Sequence, residues 1–195
     1  MSRLPMLSDQ PADQAASNLF DRVRAAAGPG FEIPDLYRVL GLAPSMFEAW
    51  LDFAWPLRHQ AKTPRELREL LILRGAQISN ARYEWAHHVP MALAAGVTVA
   101  EIEALDTWAS TDLFDARQRA VLGLVDEVTR GPGASKATID ELRQQAFDSE
   151  EIVELVLTAS FYVCVTRFLE SMDIQVEPHY QKYLTEFPLM VIKKP

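Results

Sequence analysis

The stretch Thr63-Pro-Arg-Glu-Leu-Arg-Glu-Leu-Leu-Ile-Leu-Arg-Gly-Ala-Gln-Ile-Ser-Asn-Ala-Arg-Tyr-Glu-Trp-Ala-His-His88 decides the fold. Leu67, Leu70, Leu71, Arg74 and Ile78 recur at helical spacing on one face, and Ile72, Leu73 and Ala76 spread over the adjoining one. Thr63 reads as an N-cap, Pro64 as the first helical residue and Glu66 as the partner in a capping box, so a helix is expected from Pro64 to about Ser79. Asn80 turns or caps the chain into a second helix, 81–95, which Gly96 ends. On that helix Glu84 and His88 lie one turn apart on one face, beside the apolar line Trp85, Val89, Leu93. Pro90 removes an amide donor from the carbonyl of Ala86, which predicts a kink beside His87 and His88.

Glu69 lies on a helix whose circumference is largely leucine. Burying a bare carboxylate costs several kcal/mol, so Glu69 must be paired or protonated there; the alternative is an exposed Glu69 partnered by Arg65 or Arg68. Two carboxylates and an imidazole in apolar surroundings are what general acid–base chemistry requires, because burial and mutual contact bring pKa values toward neutrality. Glu69, Glu84 and His88 are therefore the candidate catalytic residues. From spacing alone, a structural Glu–His pair is the competing explanation.

Outward from this centre the chain stays helical. Toward the N-terminus, 44–59 carries Met46, Phe47, Trp50, Leu51, Phe53 and Ala54 in amphipathic register, an aromatic stripe that reads as core. Two shorter helical pieces precede it, Leu19 to Ala27 and Phe31 to Leu40, separated by Gly28-Pro29-Gly30, and residues 1–14 read as extended. Toward the C-terminus, Thr98 and Glu101 form a second capping box, followed by helices at 112–130, 135–147 and 148–172. The last is apolar nearly all round, which places it at the centre of a bundle or of a homo-oligomer. Its longest apolar run, Ile152 to Cys164, is too short to span a bilayer. The tail from Gln175, with Pro178, Pro188 and Pro195, reads as extended. No segment alternates as a strand does, so the fold class is all-α, with seven to nine helices.

Composition narrows the function. The chain has 195 residues, 49% apolar and 24% charged, ordinary values for a globular domain with one sizeable core. A net charge of −8 and a pI near 5.0 argue against nucleic acid or an anionic membrane as partner and leave small molecules or proteins. One cysteine, Cys164, excludes an intramolecular disulfide and a Cys-x-x-Cys pair. No signal peptide is read at the N-terminus, and a cytoplasmic location is expected.

With the helices placed, Thr63-Pro-Arg-Glu-Leu-Arg-Glu-Leu through Gly96 resembles the carboxymuconolactone decarboxylase family of the alkylhydroperoxidase D-like superfamily. The resemblance rests on Arg-Glu-Leu leading into an aliphatic helix, Tyr83-Glu84-Trp85 with His88 four beyond the glutamate, Ala92, Gly96, and Glu101-Ile102. Arg119-Ala-Val-Leu122, Glu154-Leu155-Val156 and Tyr162 resemble the family's C-terminal half. The likeness covers 44–178 as a helical domain, leaving 1–43 as an N-terminal extension and 179–195 as a tail. Peroxidase members carry Cys-x-x-Cys, a histidine four after the second cysteine and an acidic residue twelve before the first; here those positions are Ala81, Glu84, His88 and Glu69. Without the thiols, thiol-peroxidase chemistry is disfavoured.

The resemblance implies an alkylhydroperoxidase D-like helical bundle and a carboxy-lyase that acts without a cofactor or metal on a small carboxylated lactone or enolisable acid. It implies His88 as proton donor, Glu84 setting its tautomer and pKa, and Glu69 completing a relay or holding the neighbouring His87 or Arg82, with Arg82, Tyr83, Trp85 and His87 as substrate-binding residues. Arg74 is a further candidate for a substrate carboxylate. A homo-oligomer (dimer, trimer or hexamer) is expected. The competing classes are a peroxidase-like antioxidant protein, a metal site using Glu84, His87 and His88, and a non-catalytic helical oligomer.

Overall fold

The computed structural model describes residues 2–28 and 30–190. Among these it contains ten α-helices and no strand: α1 (Gln14–Ala27), α2 (Asp35–Leu40), α3 (Pro44–His59), α4 (Arg65–Ser79), α5 (Arg82–Ala95), α6 (Val99–Glu103), α7 (Ala116–Arg130), α8 (Lys136–Gln144), α9 (Ser149–Met172) and α10 (Gln181–Glu186). Short 3₁₀ turns at Leu105–Thr107 and Pro178–Tyr180 complete it.

Helix α4 is the axis, packed on one side against α5 and on others against α7 and α9. Leu71, Ile72, Val121, Leu124, Leu155 and Val165 fill the α4–α7–α9 core. A second core between α4 and α5 holds Leu70, Leu73, Trp85, Val89, Leu105 and Leu122. The N-terminal segment folds back onto α3, where Phe20, Val23, Tyr37, Leu40, Phe47 and Leu51 pack together. A Cβ at Gly41 would come within 2.8 Å of Leu7 Cδ1 and 3.2 Å of Phe20 Cε1, so a larger residue there would push the Leu7 side chain aside.

Several boundaries differ from expectation, each for a local reason. The Thr63 capping box does not form. The Thr63 N–H donates to Glu154 Oε2 (2.8 Å) while its carbonyl and hydroxyl accept from the Arg68 guanidinium, and Glu66 accepts from Gln118 Nε2 (2.9 Å). Helix α4 therefore starts at Arg65 with Pro64 at its N-cap. Asn80 ends α4 in the left-handed conformation (φ 54°) and does not cap α5. The helix expected from 112 begins at Ala116, where Asp115 and Gln118 form the capping box. The boxes Thr98/Glu101 and Asp148/Glu151 stand as their spacing implies.

Helix α9 runs for 24 residues, long and apolar enough to cross a membrane by length and composition, and half of its most apolar window is buried inside the bundle. Its outward positions include the exposed Val153 and Leu157. The tail is not extended throughout. After the turn at Pro178–Tyr180, α10 lies against α5, with Tyr183, Leu184 and Phe187 covering the second core. The all-α expectation holds, and α10 takes the helix count beyond the expected nine.

Candidate functional site

Helix α5 supplies most of the polar groups. Its N-cap Ala81 makes no side-chain hydrogen bond to the helix, and Gly96 at φ 105° closes the far end. Tyr83, Glu84, His87 and His88 recur at spacings of three and four, so they share one side of α5 and line a cavity of about 220 Å³. Phe31, Trp50, Trp55, Phe161 and Tyr162, from the N-terminal segment, α3 and α9, form much of the apolar wall. Trp85 points away into the second core, its Nε1–H donating to the Phe187 carbonyl (2.8 Å).

His88 Nδ1 lies 2.7 Å from Glu69 Oε2, and Arg65 Nε donates to the other Glu69 oxygen at 2.6 Å. Glu69 is fully buried, and His88 nearly so. Burial pushes the Glu69 carboxyl up, but His88 and Arg65 outweigh it and hold the pKa below the usual range. Burial pulls His88 below its ordinary value and outweighs the opposing pull of Glu69. The consistent state at neutral pH is an ionised Glu69 held by Arg65 beside a neutral imidazole that donates its Nδ1–H. Nε2 then keeps its lone pair on a residue that lines the cavity.

Glu84 does not bond to His88. Its Oε2 accepts from the Thr166 hydroxyl of α9, and its buried Oε1 has no partner among the described residues. Burial raises its pKa to about 8, against the lowering effect of the Thr166 bond and with a small further rise from Glu170. Glu84 is therefore a neutral carboxylic acid at pH 7. The expected tautomer-setting role falls to Glu69, because α4 and not the next turn of α5 brings the carboxylate to His88 Nδ1.

The second histidine of the pair has its own carboxylate. His87 Nε2 is 2.7 Å from Glu177 Oε2, while Glu177 Oε1 accepts from the Tyr83 hydroxyl (2.6 Å) and the Asp35 N–H (2.9 Å). Burial raises the Glu177 pKa, but these three partners outweigh it and bring it to about 2. The His87 ring stacks between Tyr83 and Tyr180, at centroid distances of 4.2 and 3.8 Å.

Of the expected substrate-binding residues, Tyr83 and His87 line the cavity, whereas Arg82 is exposed and Trp85 belongs to the core. Arg74 is committed to Asp126, with Nε–Oδ1 at 2.6 Å, because α4 turns that face toward α7. Reasoning from the chain alone missed Arg58, the one lysine or arginine among the described cavity-lining residues. A signal for it exists: Leu51, Ala54 and Arg58 follow at three and four, which places the arginine on the buried stripe of α3. Glu177 and Tyr180 were missed because the tail carries no periodicity that shows where it docks. Among the described residues no three His, Cys, Asp or Glu side chains converge as metal ligands. Cys164 is exposed and does not line the cavity.

Known proteins share this architecture. An uncharacterised peroxidase-related protein from Ralstonia eutropha, described as an alkylhydroperoxidase AhpD core, superposes with a TM-score of 0.79 at 17% identity, covering 94% of this chain and 95% of its own. The debrominase Bmp8, in a cysteine-to-alanine form bound to 2,3,4-tribromopyrrole, gives 0.78 at 19% identity, covering 96% and 100%. A protein from Agrobacterium tumefaciens, described as a putative antioxidant defence protein AhpD, gives 0.64 at 22% identity, covering 70% and 93%. No curated protein shows a significant sequence match. Residues 44–127, which span α3 to α6 and most of α7, match the model of the carboxymuconolactone decarboxylase family. Through that region the chain is similar to the carboxymuconolactone decarboxylase family, and the fold around it is alkylhydroperoxidase D-like, without the Cys-x-x-Cys pair.

Proposed function

We propose that this protein is an acid–base carboxy-lyase that converts a small carboxylated lactone or enolisable acid to its decarboxylated product. The observation that carries the reading is the Glu69–His88 contact of 2.7 Å at a cavity also lined by the neutral acid Glu84. Two groups whose surroundings push one toward a base and the other toward an acid are the pattern by which one site performs both proton transfers at neutral pH.

His88 Nε2 takes the proton of the reacting carboxyl group, and Glu69 stabilises the imidazolium that forms. Carbon dioxide leaves, and the electron pair of the broken C–C bond passes into the conjugated carbonyl as an enolate. Glu84 gives its proton to carbon. The imidazolium proton then returns to the Glu84 carboxylate one helical turn away, so the acid has become product and carbon dioxide with no net change in the protein. Apolar walls favour the step because the charge spreads from a carboxylate into a delocalised enolate that water solvates less strongly.

A thiol-peroxidase function is the weaker reading, since that chemistry needs a thiolate at the site and Ala81 and Glu84 occupy the thiol positions. The test is a turnover screen of carboxylated lactones and enolisable acids that follows carbon dioxide release, with His88→Ala as the control. Release by the wild type that disappears in the variant supports the reading. No release from any such acid, or undiminished release by the variant, overturns it.

A further inference from the structure

The cavity is lined by a cation that no carboxylate among the described residues pairs with directly. Arg58 lines it from the last turn of α3, and its Nε is buried with no hydrogen-bond partner. Among the described residues its guanidinium donates from Nη2 to the thioether sulfur of Met91 at 3.3 Å, a weak acceptor, and the neutral Tyr37 hydroxyl is a further polar neighbour. No carboxylate among the described residues lies within ion-pair distance of it, whereas its neighbour Arg65 is paired to Glu69. A guanidinium stays charged however deeply it is buried, and an unpaired buried charge is destabilising by several kcal/mol. A site that carries such a charge is prepared for an anion.

The remaining walls define that anion. Phe31, Trp50, Trp55, Phe161 and Tyr162 present ring faces and edges, which complement a flat unsaturated or aromatic body. The volume of about 220 Å³ lies below the roughly 300–1,000 Å³ of pockets for drug-sized ligands, so it seats one ring with a short substituent. The carboxylates Glu69 and Glu177 stand behind His88 and His87, so a second ligand charge meets a repulsive field.

Building on the acid–base reading, we infer that Arg58 is the anion seat of this cavity, and that its ligand is a small planar acid with a single ionised carboxylate. A guanidinium that grips a carboxylate keeps the charge on that group, so this carboxylate is an anchor and not the group lost. The departing carboxyl faces His88 as its neutral acid.

Equilibrium binding of benzoate and its uncharged analogue benzamide, by calorimetry and by quenching of tryptophan fluorescence, tests the inference on the full chain. Benzoate is expected to bind at least tenfold more tightly than benzamide, and Arg58→Gln to remove that difference while leaving benzamide affinity unchanged. Equal binding of the two by the wild type, no binding of benzoate at millimolar concentration, or an unchanged preference in Arg58→Gln would each overturn it. If Arg58→Gln does not fold, the wild-type comparison decides alone. Because benzoate need not react, this outcome is separate from that of the turnover screen. His88→Ala is expected to retain the preference for benzoate even where it loses turnover.

Discussion

Glu69 Oε2 and His88 Nδ1 meet at 2.7 Å although they lie 19 positions apart in the chain, and Glu69 is fully buried at that contact. The carboxylate fixes the imidazole with Nδ1 protonated and its other nitrogen unprotonated. Glu69→Gln preserves the shape but removes the charge that stabilises an imidazolium. In the proposed reaction it is expected to lower kcat by about 10²–10⁴, the usual range for one acid–base group, with a much smaller change in KM. A kcat within twofold of the wild type would remove Glu69 from the mechanism.

Glu84 makes stability fall as pH rises. Its folded pKa of about 8 lies above the ordinary 4.5, so the folded chain holds a proton that the unfolded chain has lost between these values. Stability contributed by this group is complete below pH 4.5 and declines toward pH 8, with a limiting slope of about 1.4 kcal/mol per pH unit. Glu84→Gln keeps a neutral side chain at every pH. Its melting temperature relative to the wild type is expected to rise from pH 5 to pH 8, as thermal denaturation across that range will show; a constant difference contradicts the assignment.

Glu177 has the opposite sign. Its pKa of about 2 lies below 4.5, so its stabilising contribution is full above pH 4.5 and is lost as pH falls toward 2. Glu177→Gln weakens the bonds to His87, Tyr83 and the Asp35 amide together. The expected cost is about 1–3 kcal/mol at pH 7, with faster amide exchange at 177–187. Denaturant unfolding and hydrogen exchange measure both.

Asp148 starts the helix that carries Tyr162 and Thr166. Its side chain accepts from the Glu151 amide at 2.9 Å, and Glu151 returns the bond to the Asp148 amide at 2.9 Å. Asp148→Ala is expected to reduce global stability by about 1 kcal/mol without altering benzoate affinity. A larger effect on binding than on unfolding would show that the start of α9 moves the cavity wall.

The fold was legible wherever one helix determines its own pattern. The bounds of α3 follow from Pro44 and its amphipathic register, and Asp148 and Thr98 cap the helices that their spacing implies. What was not legible depends on partners distant in sequence. Thr63 looks like an N-cap, yet its polar groups go to Glu154 and Arg68. Arg74 looks free for a substrate until Asp126 arrives from α7. Within the site, Glu84 and His88 were visible as neighbours on α5, but the carboxylate that reaches His88 comes from α4, and the cation at the cavity comes from α3. A periodic pattern shows which face of a helix is buried and not what that face meets.

The segments on either side of residues 44–127 reach into the same cavity, Val23, Ala26, Phe31 and Tyr37 from one side and Phe161 and Tyr180 from the other. Glu69, Glu84, His88 and Arg58 all lie between them, within the family region. In the proposed reaction the inner region carries the groups that move protons and the anion seat, while flanking sequence closes the rest of the space a substrate must fit. Exchanging residues 19–40 with those of a relative is therefore a route to a new substrate range with the proton-transfer groups left in place.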